Sequence, residues 1–146
     1  MIKWILKRFN ELSGVEVYQI LQLRSEVFVV EQNCVYQDID DKDSRALHLL
    51  GYERDQLIAY ARLFKRGDYF EEMSIGRVVV RADRRRFGFG HELMKQAIKD
   101  IQQFDVGEIV ISAQLYLQKF YEQHGFIAEG ESYPEDDIPH IRMRRF

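Results

Sequence analysis

The sequence predicts a single domain of α+β or α/β class, with its elements in the order β-α-β-β-β-α-β-α-β-β. Three observations carry that expectation. Residues 78–101 read VVVRADRRRFGFGHELMKQAIKDI, a short apolar β run, an arginine turn with two glycines, and then apolar residues at helical spacing. Residues 47–65 alternate apolar and polar positions around a brief polar break, as a hairpin does. With 146 residues, 46% of them hydrophobic and 13% aromatic, the chain can bury one full core but is too short for two ordinary domains.

Taken in order, residues 2–9 mix basic residues with β-favouring Ile and Trp and predict the first strand. Ser13 followed three residues later by Glu16 is a capping-box signature, and Val17, Ile20, Leu21, Leu23, Arg24, Val27 and Phe28 form the stripe of a helix over about residues 14–30. Residues 31–45 are polar and acidic and show no period. Asp38, Asp40, Asp41 and Asp43 look like a calcium loop, but the glycine and the terminal glutamate of such a loop are missing. A solvated turn and an acidic rim facing a substrate are the two readings left. In the hairpin of residues 47–53 and 57–65, His48 and Arg62 read as partnered structural residues rather than catalysts.

After a loop at 66–72, a strand at 73–80 feeds the glycine turn, and Leu93, Met94, Ala97, Ile98 and Ile101 line the docked face of the helix that follows. The first N–H groups of a helix have no intrahelical partners, and its dipole favours negative charge there. Gly88 and Gly90 keep side chains out of the turn, and Arg84, Arg85 and Arg86 surround it with guanidinium groups, so a pyrophosphate suits this place. The Gly-Lys-Ser/Thr of a P-loop and the third glycine of a dinucleotide fold are both absent. Further on, 106–113 predicts a buried strand and 115–124 a helix ended by Gly125. Residues 126–133 and 139–145 predict two closing strands around a turn at 134–137.

A formal net charge of −3 argues against a nucleic-acid binder as a property of the whole chain, and the arginine clusters are local. No apolar run reaches the length of a membrane span, and one cysteine, Cys34, cannot close an internal disulfide. A cytoplasmic protein without a membrane partner is expected, with Cys34 in plain packing. No set of metal ligands is read.

The turn Arg85-Arg86-Phe87-Gly88-Phe89-Gly90 after Val78-Val79-Val80 resembles the coenzyme A pyrophosphate loop of the GCN5-related N-acetyltransferases, the GNAT superfamily. Phe120-Tyr121-Glu122-Gln123-His124-Gly125-Phe126 looks like that family's F-Y-x-x-x-G-F. Narrower likenesses, in Leu23-Arg24, residues 27–34, residues 36–40 and Ile138-Pro139-His140-Ile141, point to its ElaA-like branch. The resemblance implies a mixed, mostly antiparallel sheet flanked by helices and splayed between the fourth and fifth strands to admit acetyl-CoA.

Carried onto this chain, it gives the backbone of Val78, Val79 and Val80 to the pantetheine arm. Arg85, Arg86, Phe87, Gly88, Phe89, Gly90 and His91 fall to the pyrophosphate, and Gln114 to the position where many members have asparagine. Tyr121 matches the tyrosine that protonates the departing thiolate. Where some relatives carry a glutamate base on the fourth strand, this chain has Ser74, so Glu31, His140 and a water relay are all candidates for the base. The implied activity is acetyl transfer from acetyl-CoA to a small-molecule or peptide amine by direct attack in a ternary complex, with acidic loops at 38–43 and 135–137 favouring a cationic acceptor. A non-catalytic acyl-CoA-binding module of the same fold is the alternative, and association as a homodimer is left open.

Overall fold

A computed structural model describes residues 1–146 and shows seven strands and three helices in the expected order. The strands are β1 (Lys3–Arg8), β2 (Leu47–Glu53), β3 (Gln56–Phe64), β4 (Ser74–Val80), β5 (Ile109–Gln114), β6 (Phe126–Glu135) and β7 (Ile138–Arg145). The helices are α1 (Gly14–Arg24), α2 (Phe89–Ile101) and α3 (Gln118–Glu122). No helix is long and apolar enough to cross a membrane.

The strands form two antiparallel sheets, β1-β2-β3-β4 and β5-β7-β6. They meet at one place, a parallel bridge between Met73 and Ile109 in which the Val110 amide donates to the Met73 carbonyl at 2.8 Å. Beyond it β4 and β5 part, so β4 is an edge strand whose outer backbone groups face a gap inside the molecule. A bulge adds to the divergence: the β3–β4 register slips between Tyr60 and Arg62, and Arg77 stands at φ 46°.

Both faces of the four-stranded sheet are covered. Ile20, Leu23 and Val27 pack with Leu50, Leu57, Tyr60 and Val79 on one side. Leu93, Met94, Ala97, Ile98 and Ile101 of α2 join the main core on the other, as their spacing predicts. That double cover makes β3 buried almost throughout, the usual state of a central strand between helices.

Local chemistry sets the ends of elements. The Glu16 amide donates to Ser13 Oγ at 3.1 Å and the Ser13 amide to Glu16 Oε1 at 2.8 Å, which is the capping box read in the sequence. The helix expected over 14–30 is α-helical only to Arg24. Ser25–Glu31 continue it as a π-helical turn, in which the Gln32 and Cys34 amides reach back five residues to the Val27 and Val29 carbonyls. The helix expected at 115–124 begins as a 3₁₀ turn, Leu115–Leu117, before α3. The last hairpin is tighter than expected: β6 runs through Glu135, so Asp136 and Asp137 alone turn the chain, at φ 50° and 63°.

The acidic segment is neither a solvated turn nor an open rim. Asp38, Asp40 and Asp43 point inward to Arg24, Arg62 and Arg77: Arg24 binds Asp38 at 2.8 Å and Asp43 at 2.7 Å, Arg62 binds Asp40 and Asp43, and Arg77 binds Asp38 at 2.7 Å. Arg24 is 0% exposed and Arg62 1%, so long apolar stems and their carboxylate pairs must offset their desolvation. His48 closes the network, donating from Nε2 to the Asp43 carbonyl at 2.9 Å and accepting from Tyr60 at 2.6 Å, which makes it and Arg62 the structural residues expected. Burial raises the affinity of Asp43 for a proton, but the hydrogen bonds and charges of Arg24 and Arg62 outweigh it and hold the carboxyl below its usual range. Asp40 is likewise held low by Arg62 and Arg77 against its burial.

Arg24→Ala removes one partner from two buried carboxylates and should cost on the order of 3–5 kcal/mol in urea unfolding at pH 7. Carboxyls held low in the folded state contribute stability that is complete above the unfolded pKa of about 3.9 and lost on further acidification. The deficit of the variant should therefore shrink as the pH falls below about 4. A deficit independent of pH would show that the arginine stem, not its charge, carries the effect.

Candidate active site

The gap between β4 and β5 opens into a cavity of about 550 Å³, within the range of small-molecule sites. Val78, Val79, Val80, Arg85, Arg86, Gly88, Phe89, Gly90, His91, Gln114 and Tyr121 all line it, together with Glu31 and His140. Of the site residues expected from the sequence, only Phe87 lies off its wall. That ring is 60% exposed and sits against Arg84 and Phe89.

At one end lies the N-terminus of α2. Gly88 is its cap residue at φ 79°, a conformation that favours glycine, and no side chain caps the free amides of the first turn. Gly90 serves packing instead: a Cβ there would meet the Phe120 ring at 3.4 Å. The three arginines divide rather than surround the turn. Arg84 leaves it for Glu53 at 2.7 Å. Arg85 makes a bidentate pair with Glu31, at 2.5 and 2.8 Å, and donates to the Val80 carbonyl at 3.0 Å. Arg86, at φ 71°, makes no ion pair and faces the cleft. His91 Nδ1 lies 2.8 Å from His124 Nε2, so one ring must donate to the other. Burial first, then His91, Lys95 and Arg145, hold His124 below its ordinary pKa.

Along the middle, Val79 is buried on the α1 side while Val78 and Val80 pack toward the main core, which fixes the edge of β4. Tyr121 is 7% exposed, held between Phe120 and Phe126, and lines the cleft. Burial, and after it the neighbouring Tyr116, push its phenol well up, so it is protonated at any working pH. Gln114 exchanges two amide hydrogen bonds with Gln32, at 3.0 and 3.3 Å, which ties β5 to the end of the π turn.

The other end is polar on one side and aromatic on the other. His140 Nδ1 donates to the Ile138 carbonyl at 2.7 Å, and its Nε2 stands 3.4 Å from Glu135 Oε2. Ser112 Oγ donates to Glu135 Oε1 at 3.2 Å and bonds the Tyr133 hydroxyl. Opposite stand Phe64, Tyr69 and Phe70, with adjacent rings 4.9 and 4.7 Å apart. Ser74, the first residue of β4, is buried and lines the cleft. The Cys34 thiol, half-buried at the cleft wall, donates to the Asp136 carbonyl at 3.1 Å.

Two of the expected roles change. Glu31 is held below its usual carboxyl range, chiefly by the Arg85 hydrogen bonds, and as that arginine's partner it is ill suited to take a proton. Asp38, Asp40 and Asp43 are spent on arginines, so of the two acidic loops only the hairpin, through Glu135 and Asp136, offers carboxyl groups to the cleft. Glu135, Ser112 and Tyr133 escaped the sequence reading as a group, because β-strand register, not spacing along the chain, assembles them. Tyr133 opposite His140 in the β6–β7 hairpin was the signal that could have found them.

Residues 10–145 match a family model described as an acetyltransferase (GNAT) domain. Protein ElaA of Escherichia coli K12 is 44% identical over 148 residues, a match covering 99% of this chain and 97% of that protein. The crystal structure of an acyl-CoA N-acyltransferase from Pseudomonas aeruginosa shares 42% identity and a TM-score of 0.95 over the whole of both chains. That of Escherichia coli ElaA shares 43% with a TM-score of 0.93, again over both whole chains. An aminoglycoside 6′-N-acetyltransferase solved with coenzyme A has the same fold at 17% identity and a TM-score of 0.71, over 97% of this chain and 96% of that one.

The His91–His124 geometry gives a spectroscopic expectation. In an NMR pH titration, His124 should gain its proton below the usual value near 6.5. His124 titrating above pH 7 would contradict the burial and the cationic neighbours that hold it down.

Proposed function

The chain belongs to the GNAT acetyltransferase family, and from that premise we propose that it transfers the acetyl group of acetyl-CoA to a primary amine by direct attack in a ternary complex. The observation that carries the reading is the gap itself: an unpaired edge strand, an uncapped helix N-terminus at one end and a buried phenol in the wall. The residues present fit coenzyme A. The edge of β4 at Val78, Val79 and Val80 offers strand-like hydrogen bonds to the amide-bearing pantetheine arm. The first-turn amides of α2 and the unpaired Arg86 offer a pyrophosphate donors and charge, and Arg85 joins them if Glu31 releases it.

Acetyl-CoA supplies an activated acyl group. An amide N–H of the β4 edge stabilises the charge that develops on the thioester oxygen when a neutral amine attacks. Tyr121 donates its proton to the departing sulfur, a role for which a phenol kept neutral by burial is suited. The acceptor is a cationic amine, on the grounds that Glu135 and Asp136 border its end of the cleft.

A second reading, an acyl-CoA binder without turnover, is favoured by one observation, the serine at position 74 in place of a glutamate base. Thiol release from acetyl-CoA with a panel of amines separates the two, since a binder shows affinity in calorimetry and no release.

Two substitutions test the assignment of residues. Arg86→Glu reverses the charge at the turn without adding backbone strain, because Arg86 already has positive φ, and should weaken coenzyme A binding by about tenfold or more with an unchanged melting curve. Unchanged affinity would move the pyrophosphate elsewhere. Tyr121→Phe should lower kcat by on the order of a hundredfold and leave acetyl-CoA affinity intact. A fall of less than about threefold, where chemistry limits the rate, would make this tyrosine a packing residue.

A further inference from the structure

We infer that Glu135 Oε2 and His140 Nε2 form the seat of the acceptor's ammonium group, that His140 takes its first proton, and that the amine is borne on an apolar body without a neighbouring carboxylate. This rests on the acyltransferase reading and names the substrate class for it.

The His140 tautomer is fixed by geometry. A carbonyl oxygen only accepts, so the 2.7 Å contact with Ile138 puts a hydrogen on Nδ1 and leaves the Nε2 of the neutral ring with a lone pair. That lone pair faces a carboxylate oxygen at 3.4 Å, two acceptors with no donor between them. Ring protonation supplies one, and an ammonium group, with three N–H donors, supplies the other. Glu135 is held for this purpose: Ser112 occupies Oε1 and leaves Oε2 toward the cleft. His140 is rigid, 7% exposed on the central strand of its sheet, with Gln114 and Tyr133 as its cross-strand neighbours. The titratable groups around it are Glu135 and Tyr133 on β6, Asp136 at the hairpin tip and Cys34 bonded to that tip. Tyr69 lies across the cleft, and β5 contributes only the uncharged Ser112 and Gln114.

The facing wall determines what bears the amine. Phe64, Tyr69 and Phe70 are flat and apolar, and Tyr69 stands near enough to Glu135 for the carboxylate, after burial, to push its phenol up. The guanidinium groups at this end are already paired: Arg62 with Asp40 and Asp43, Arg77 with Asp38, and Arg142 with Glu72 and Glu129; the Lys42 ammonium, which makes no ion pair, sits 5.7 Å from the centroid of the Tyr69 ring and outside the lining of the cleft. An acceptor carboxylate beside the nitrogen would meet Glu135 and find no unpaired guanidinium, so α-amino acids are disfavoured.

The protons balance. The ammonium gives one to His140 Nε2 and the neutral nitrogen lone pair forms the C–N bond. As the C–S bond breaks, its electron pair leaves on sulfur. The second excess N–H proton leaves nitrogen as the amide forms; Tyr121 gives its proton to the thiolate and is restored, through solvent, by that second proton. The products are the amide, the free thiol and one proton released from His140 to solvent.

The test uses 2-phenylethylamine as probe, with phenylalanine as the same body carrying a carboxylate. Thiol release should favour the amine over phenylalanine at least tenfold. Glu135→Gln should raise KM for the amine about tenfold or more while KM for acetyl-CoA holds. His140→Gln, its fold checked by circular dichroism, should lower kcat by on the order of a hundredfold and abolish the acidic limb of the pH–rate profile. A preference for phenylalanine, equal KM changes for both substrates, or a retained acidic limb would overturn the inference while the acyltransferase reading stands. If the wild type releases no thiol, NMR decides. A His140 imidazole resonance shifted by 2-phenylethylamine in the wild type but not in Glu135→Gln keeps the seat and removes the transferase reading, and the absence of any shift removes the seat.

Discussion

Over one shared hydrophobic core, a single parallel bridge between Met73 and Ile109 joins the backbones of the two sheets, and the cleft exists because that bridge is not repeated. Were β4 and β5 paired along their length, the backbone groups of Val78, Val79 and Val80 would be consumed by the ladder. The divergence leaves them as an edge strand, which ordinarily invites unwanted pairing, but here the second sheet and the π turn shelter it inside the molecule. An interior edge is a place for an extended ligand with amide groups. The same divergence spaces the N-terminus of α2, Tyr121 and the Glu135–His140 pair along one continuous wall.

The bulge that adds to the divergence is held by buried charge. Arg77, at positive φ, donates from Nε to Asp38 Oδ1 at 2.7 Å and from Nη2 to the Asp38 carbonyl at 3.1 Å, and the same aspartate binds Arg24 of α1. Helix, acidic loop and bulged strand are thus tied at one point. The tie is not without cost, since Arg62 Nε is buried with no partner, and a hydrophobic cluster of equal volume would compete with it in stability. Charge gives direction where a hydrophobic cluster would not: hydrogen-bonded guanidinium groups fix the backbone of residues 38–43 and set one wall of the cleft. In doing so they consume the negative charge that an isolated reading of those aspartates assigns to a substrate.

Features governed by neighbours in the chain were legible in the sequence. The Ser13–Glu16 capping box, the alternation of the β2–β3 hairpin, the docked face of α2 and the strand-turn-helix around Gly88 each follow from interactions over a few residues, and the structure reproduces them. Long-range pairing stayed hidden. Arg24 finds Asp38 and Asp43 at separations of 14 and 19 residues, Glu31 finds Arg85 at 54, and Glu135 meets His140 only because a two-residue turn sets their register. The π turn of Ser25–Glu31 carries no composition signal either, since its residues would serve equally in an α-helix. The candidate site was therefore legible as a set of residues around β4 and the N-terminus of α2, and far less so as geometry at the β6–β7 hairpin end.

The central claim is that the gap between β4 and β5 is the coenzyme A site, and a crystal structure with coenzyme A tests it most directly. The account requires the pantetheine arm along the outer edge of β4, the pyrophosphate on the amides of Phe89, Gly90 and His91 with Arg86 beside it, and the sulfur next to Tyr121. Coenzyme A lying on an outer face, with the gap closed or filled by side chains, would contradict it.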